Sequence, residues 1–389
     1  MGSSIGRRNS STGVEWRGAG CHAGALPGLS FVCHRNFRTA GGVRLEQKLI
    51  VDPGKLLDEK GRLLQVGWSP QPLLDCNLEQ ARFYRLRFLQ PLRIKRWDYY
   101  AVFTPQRFFS ATIADLGYAG NIFVYVLDFN SGELHEEGLV IPLAKGVILP
   151  RNSQAGESIF EDSRARLHFI AEPGARRISV SWKGFHQGRG IEAEMVLACP
   201  PAHESMNIVI PIGKNRFYFN RKINCLPASG ELRYGKIRET LDPSTSLGSL
   251  DWGRGVWEYR GFWNWASASG YLPDRRTLGL NLGCGFGDLS AATENCLVLN
   301  GKVHKLGQVK FDYIPGDYMR HWHFSDSEGR LSLEFTPFKE RLARTNLGII
   351  FSEVHQMFGR YSGSVLTDEG ERIEIENLIG FAEEHHARW

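Results

Sequence analysis

From about residue 45 to the end, the chain is a succession of short runs rich in aromatic and β-branched residues, cut by Pro, Gly and Asn. The runs fall at 97–104, 108–113, 121–127, 165–170, 178–182, 192–197, 207–210 and 216–223. They resume at 277–282, 293–299, 308–313, 331–335, 347–358 and 372–378. Most have the length and composition of strands. Only 78–88 carries a helical period, so there are no helices to cross between parallel strands. The expected fold class is therefore all-β, built from antiparallel barrels or sandwiches.

A weak internal repeat divides this pattern. Trp97-Asp98-Tyr99 opens one strand, and Trp263-Asn264-Trp265 opens another 166 residues later. Each is followed by a glycine-bearing strand. A repeat at domain scale points to a duplicated β unit, with a junction near 225–245. The expected division is an extension at 1–44 and two barrels at 45–225 and 226–389.

Charge narrows the partners. The net charge is +5, but residues 1–44 hold six of the 47 basic residues and one of the 42 acidic ones. What remains is 41 of each, a neutral body that gives no footprint for nucleic acid. No apolar run approaches the roughly 18 residues of a membrane-spanning helix, so stable membrane insertion is not expected. The Arg- and Ser-rich leader reads either as a plain extension, with the protein cytoplasmic, or as a transit peptide to an organelle. Seven scattered cysteines without a CxxC favour free thiols over disulfides or zinc. No feature speaks to oligomeric state.

Four constellations could carry chemistry. The segment 248–259, GSLDWGRGVWEY, sets Asp251 and Arg254 beside Trp252 in what reads as a turn between the barrels. Either the pair closes that turn as a structural ion pair, or Asp251 is poised as a general acid or base. Glu294 and Asn295 lie on an apolar strand, and His304 and Lys305 follow the Asn300-Gly301 turn. A hairpin there would bring Glu294 and His304 together as a proton-transfer pair, or as polar groups that satisfy each other. His321 with His323, and His385 with His386, have too few companions for a zinc site. The glycines at 283, 285 and 287 lack the spacing of a dinucleotide fingerprint and suit a bent barrel strand. No cofactor is expected.

The segments 248–259, 263–270 (WNWASASG), 279–288 (GLNLGCGFGD), 292–295 (ATEN) and 304–306 (HKL) together resemble the family called domain of unknown function 2804. So do 67–69 (GWS), 95–99 (KRWDY), 203–206 (HESM), 355–359 (HQMFG) and 380–383 (GFAE), so the resemblance runs from about residue 50 to the end. A looser resemblance joins Gly248, Asp251, Arg254, Gly255 and Trp263 to tandem lipocalin-like proteins, the AttH-like proteins and carotenoid hydratases among them. It implies two lipocalin-like antiparallel barrels packed together. By analogy it implies a hydrophobic small-molecule ligand of lipid, isoprenoid or polyketide type. Ten Trp, 12 Tyr and 23 Phe could line such a site, with Trp252, Trp263, Trp265, Asn295 and Lys305 as candidate contacts. Two readings follow: a cofactor-free hydratase, isomerase or cyclase using Asp251, Arg254, Glu294 and His304, or a non-catalytic lipid carrier or stress-related binding protein.

Overall fold

The computed structural model describes residues 47–346 and 348–389. The leader at 1–44, with its targeting or extension reading, lies outside the described residues. The first sheet is built on β1 (Lys95–Phe103), β2 (Arg107–Asp115), β3 (Ala119–Asp128), β4 (Leu134–Pro142), β5 (Gly156–Glu161) and β6 (Ala165–Glu172). It continues with β7 (Ala175–Trp182), β8 (Ile191–Ala198), β9 (Phe217–Tyr234) and β10 (Leu247–Val256). Their order is β4-β3-β2-β1-β10-β9-β8-β7-β6-β5. Short strands at Met206–Pro211 and Ile237–Leu241 pair with β9, and Gly67–Ser69 pairs with Met206–Pro211.

The second sheet holds β11 (Arg260–Tyr271), β12 (Thr277–Cys284), β13 (Cys296–Leu299), β14 (Lys302–Lys305) and β15 (Val309–Asp312). It ends with β16 (Trp322–Asp326), β17 (Leu331–Asn346), β18 (Phe351–Leu366) and β19 (Arg372–Arg388). The order is β14-β13-β12-β11-β19-β18-β17-β16-β15. Both sheets follow one plan: a four-strand meander whose first strand also pairs with the last strand of its unit. The repeat read from Trp97 and Trp263 falls on those two first strands, β1 and β11. The fold is all-β and lipocalin-like, as expected, with each sheet an open, curled half-barrel. The chain leaves the first sheet after Val256 and enters the second at Arg260. The junction read from the sequence, at 225/226, falls inside β9.

Each sheet wraps its own apolar core. Tyr100, Phe169, Trp182 and Trp252 are in the first, and Trp322, Phe324, Phe335 and Tyr361 are in the second. A third cluster, with Phe108, Tyr125, Phe358 and Phe381, joins the two sheets. Strand β10 is buried along its whole length because both its faces are covered. Leu250 and Trp252 enter the first core, whereas Ser249 bonds to Ser269 of the second sheet.

The helical period at 78–88 does not yield a helix. Two 3-10 turns form instead, Leu78–Gln80 and Arg87–Arg93, the second containing Pro91. From within the second turn, buried Gln90 accepts the amides of Phe83 and Tyr84 in the stretch between the turns, and so holds the chain off a helical path. Cys76, Cys199, Cys225 and Cys296 are free thiols.

Candidate functional site

The two repeat strands meet across a cavity of about 200 Å³. On a strand, alternate side chains share a face. Trp97 and Tyr99 of β1 therefore line the cavity from one side, and Trp263 and Trp265 of β11 from the other. The residues between them turn away: Asp98 into the first core, and Asn264 to the carbonyl of Glu383 and the hydroxyl of Tyr313. Trp97 fits only because position 253 on β10 is glycine, where a Cβ would lie 2.1 Å from the indole. Tyr218, Trp257, Phe286 and Trp389 complete an aromatic wall. Trp97 and Trp257 stand 5.2 Å apart, and Tyr99 meets Trp265 edge-on at 5.8 Å.

A polar cluster interrupts this wall. Lys222 Nζ of β9 donates to Asp251 Oδ2 at 2.9 Å, and Asn220 donates to Asp251 Oδ1 at 2.6 Å. The same ammonium lies 3.6 Å from Glu294 Oε2 and 3.7 Å from the Trp265 ring centroid. Burial pushes the Glu294 carboxyl above its usual range, while Lys222 pulls it back. Its place is reserved by Gly283, where a Cβ would sit 2.2 Å from Glu294 Oε1. Asn281 ties the cluster to the wall, accepting from Trp265 Nε1 and donating to the Glu294 carbonyl, both at 2.8 Å. Asn220 Oδ1 and Glu294 Oε2 are buried without a hydrogen-bond partner among the described residues. Buried polar atoms are seldom left so.

The facing wall carries a hydrogen-bond chain. Tyr99 Oη and Tyr125 Oη are 3.0 Å apart, and Tyr125 donates to Gln356 Oε1 at 3.0 Å. Gln356 Nε2 in turn donates to Glu383 Oε2 at 3.3 Å. Burial drives the Glu383 carboxyl up to about 7 against the pull of Lys222 and Arg341. Two residues on, burial drives His385 down to about 3, so its imidazole is neutral, and it bonds Ser352 at 2.9 Å. The Arg341 guanidinium stacks 4.3 Å from the Tyr125 ring and is paired with Glu136. The cavity thus holds a carboxyl able to carry a proton near neutral pH, and two further carboxyls around one ammonium. That set can both give and take a proton.

The sequence-derived candidates separate. Asp251, Glu294, Trp263 and Trp265 line the cavity. Asp251 and Arg254, expected as a pair in a turn, instead stand three residues apart on a strand and point to opposite faces. Arg254 pairs with Asp98 at 2.9 Å, donates to the carbonyls of Trp97, Gly253 and Pro150, and stacks on Trp252 inside the first unit. His304 does not reach Glu294. It sits opposite Leu297 in the β13–β14 hairpin and accepts the amide of Asp368. Asn295 and Lys305 close the loop beside that hairpin: Asn295 bonds Gly283 and Gly307, and Lys305 Nζ donates to the carbonyls of Thr293 and Asn295. His321 faces Glu334, His323 is exposed, and His386 bonds Glu384. Lys222, Gln356, Glu383 and the tyrosine pair were missed. Gln356 and Glu383 lay within segments already read as family signature. Lys222 lay in a strand run, where only the topology of β9 reveals its direction.

Structural comparison gives remote likenesses. An AttH-like protein from Nitrosomonas europaea is 14% identical, covers 78% of this chain and 96% of its own, and has a TM-score of 0.48. Kievitone hydratase from Nectria haematococca is 12% identical, covers 79% and 93%, and has a TM-score of 0.45. Neither likeness bears on what this chain binds. No curated protein matches it in sequence. The family model described as "Domain of unknown function (DUF2804)" matches residues 47–389, both sheets and every residue of the cavity, and the chain belongs to that family.

Proposed function

We propose that the inter-sheet cavity binds a hydrophobic, unsaturated small molecule and that its carboxyls move a proton on that molecule. The observation that carries this is one aromatic pocket holding both Glu383, raised to about 7, and the Lys222–Asp251–Glu294 cluster. A volume near 200 Å³ exceeds the ~150 Å³ cavity that accepts benzene. It suits a ring or a short isoprenoid or polyketide unit rather than a whole carotenoid, and a longer chain would have to extend outside. Protonated Glu383 supplies a proton to a carbon–carbon double bond. The tryptophan faces stabilise the cation that results. Asp251 or Glu294 then accepts a proton, either from the substrate, giving an isomer, or from an added water, giving an alcohol. A plain carrier would need the aromatic wall but not the paired carboxyls.

Among the described residues no helix is long and apolar enough to cross a membrane. Buried thiols such as Cys76, Cys225 and Cys296 suit a reducing compartment, the cytoplasm being our reading.

Solvent extraction of the purified protein and mass spectrometry would identify the ligand. Turnover of that compound should fall at least about 100-fold in Glu383→Gln and in one of Asp251→Asn and Glu294→Gln, the usual worth of a general acid or base, with binding retained. Bound ligand with unchanged chemistry would leave the carrier. A protein that is empty and binds no prenyl, terpenoid or polyketide probe would remove both readings.

A further inference from the structure

We propose that the exposed segment 85–92, which runs into the 3-10 turn Arg87–Arg93 beside the cavity wall, docks the protein on an anionic lipid bilayer. The segment reads RLRFLQPL, and every residue in it except Gln90 is exposed. Phe88 is 74% exposed and Leu86 55%, with Leu89 and Leu92 also outward. An accidental loop would tuck such side chains in. Here Gln90 fixes the loop from beneath, accepting the amides of Phe83 and Tyr84 and donating to the carbonyl of Ala81. The apolar side chains are thereby presented rather than merely uncovered.

The charge is matched to an anionic surface. Between Glu79 and Asp98 the chain has no acidic residue and six basic ones. Of these, Lys95 is buried on the Leu116 carbonyl and Arg96 is paired with Asp115, which leaves Arg82, Arg85, Arg87 and Arg93. Arg85 and Arg87 are exposed and have no carboxylate partner among the described residues. Outside this run, residues 45–389 hold 35 basic and 41 acidic residues, so the basic run is local. Apolar side chains that enter the acyl boundary, with arginines at the level of the phosphates, are the two signals that together hold a peripheral protein. Leu86, Leu89 and Leu92 offer no flat face for stacking bases, which argues against a single-stranded nucleic acid.

The patch is also in the right place. The Pro91–Leu92 backbone packs on Gly117, where a Cβ would fall 2.3 Å from the Pro91 carbonyl, and neighbouring Leu116 lines the cavity. Arg93 donates to the carbonyl of Trp257, another lining residue. Tyr259, itself exposed, donates to the carbonyl of Ile349, which is 76% exposed, and so extends the apolar rim. A bilayer on this face would place dissolved apolar compounds beside the cavity. That link rests on the proposed ligand class, whereas docking itself does not.

The test is co-sedimentation of the full chain with vesicles of phosphatidylcholine alone or with one-third phosphatidylserine. The wild type should pellet with the anionic vesicles, weakly with the neutral ones, and be released by high salt. Phe88→Asp, and the double change Arg85→Glu with Arg87→Glu, should each lose at least about tenfold in partitioning, with unchanged melting because the sites are exposed. No binding to anionic vesicles overturns the proposal. Binding that both variants retain also overturns it, since other basic segments would then be responsible. A concentration-dependent dimer abolished by Phe88→Asp would assign the patch to a second copy and overturn it likewise. Vesicle binding by a protein whose cavity proves empty would support docking while the ligand reading fails.

Discussion

Strand β10 carries two charges three residues apart that face different surroundings. Arg254 points into the first unit, 1% exposed, with a carboxylate and three carbonyls around its guanidinium. Asp251 points to the second sheet, where it shares Lys222 with Glu294, and two polar atoms beside it lack partners. Both sides are buried, and both keep atoms without a hydrogen-bond partner among the described residues, Asp98 Oδ1 and Trp252 Nε1 on one and Asn220 Oδ1 and Glu294 Oε2 on the other. What separates them is that Arg254 sits in a closed core, whereas the Asp251 cluster opens on a cavity, which leaves capacity for a ligand.

Breaking the core side should give the largest effect. Asp98→Asn keeps the shape but leaves the Arg254 charge without its counter-charge, and its loss should cost about 3–5 kcal/mol of unfolding free energy. Asp98 also accepts the Ser158 hydroxyl at 2.6 Å, a bond the amide can keep. Denaturant unfolding of this variant beside Asp251→Asn checks the contrast. A loss under about 1 kcal/mol in Asp98→Asn would mean that carbonyls alone satisfy Arg254, and the division between the two faces would not hold.

The same division explains what could be read from the sequence. The strand runs, the Trp97 and Trp263 repeat and the family blocks were legible because they depend on composition and local order. Asp251, Glu294, Trp263 and Trp265, the candidates that line the cavity, stand out because they sit in the most distinctive segments. Their partners were not legible. Pairing Asp251 with Arg254 assumed a turn, and one strand with odd spacing sends them apart. Pairing Glu294 with His304 assumed a hairpin register, but the register sets His304 opposite Leu297 and Glu294 before the strand begins. Lys222 and Glu383 come from strands far apart in the chain, and only sheet order brings them to one cavity.

A second test separates Glu383 from the core by its pH dependence. Its carboxyl rises from 4.5 to about 7 on folding. Between those values the folded state holds a proton that the unfolded state has released, so this group makes stability fall as pH rises from 4.5 to 7. His385 acts oppositely. Lowered from 6.5 to about 3, it makes stability rise with pH across that interval. The two nearly cancel in the wild type between 4.5 and 6.5. Glu383→Gln removes only the falling contribution, so from pH 4 to pH 8 the variant should gain roughly 3 kcal/mol relative to wild type. Unfolding at a series of pH values reads this directly, and a constant difference would place Glu383 outside the titrating set.

The smallest effect should come from the tyrosine pair, and it sharpens the contrast most finely. Tyr99→Phe removes one hydroxyl from the chain that runs through Tyr125 and Gln356 to Glu383. Tyr125 keeps its bond to Gln356, and the hydroxyls of Ser110 and Thr112 nearby have no hydrogen-bond partner among the described residues. A wall next to a cavity can also admit water to a vacated polar site. The cost should therefore sit near the low end for a lost hydrogen bond, about 0.5–1 kcal/mol. In a closed core the same deletion would strand its partner and cost more. A measured loss above about 2 kcal/mol would put Tyr99 with Arg254, among groups held in a closed core, and the facing wall would then belong to the scaffold.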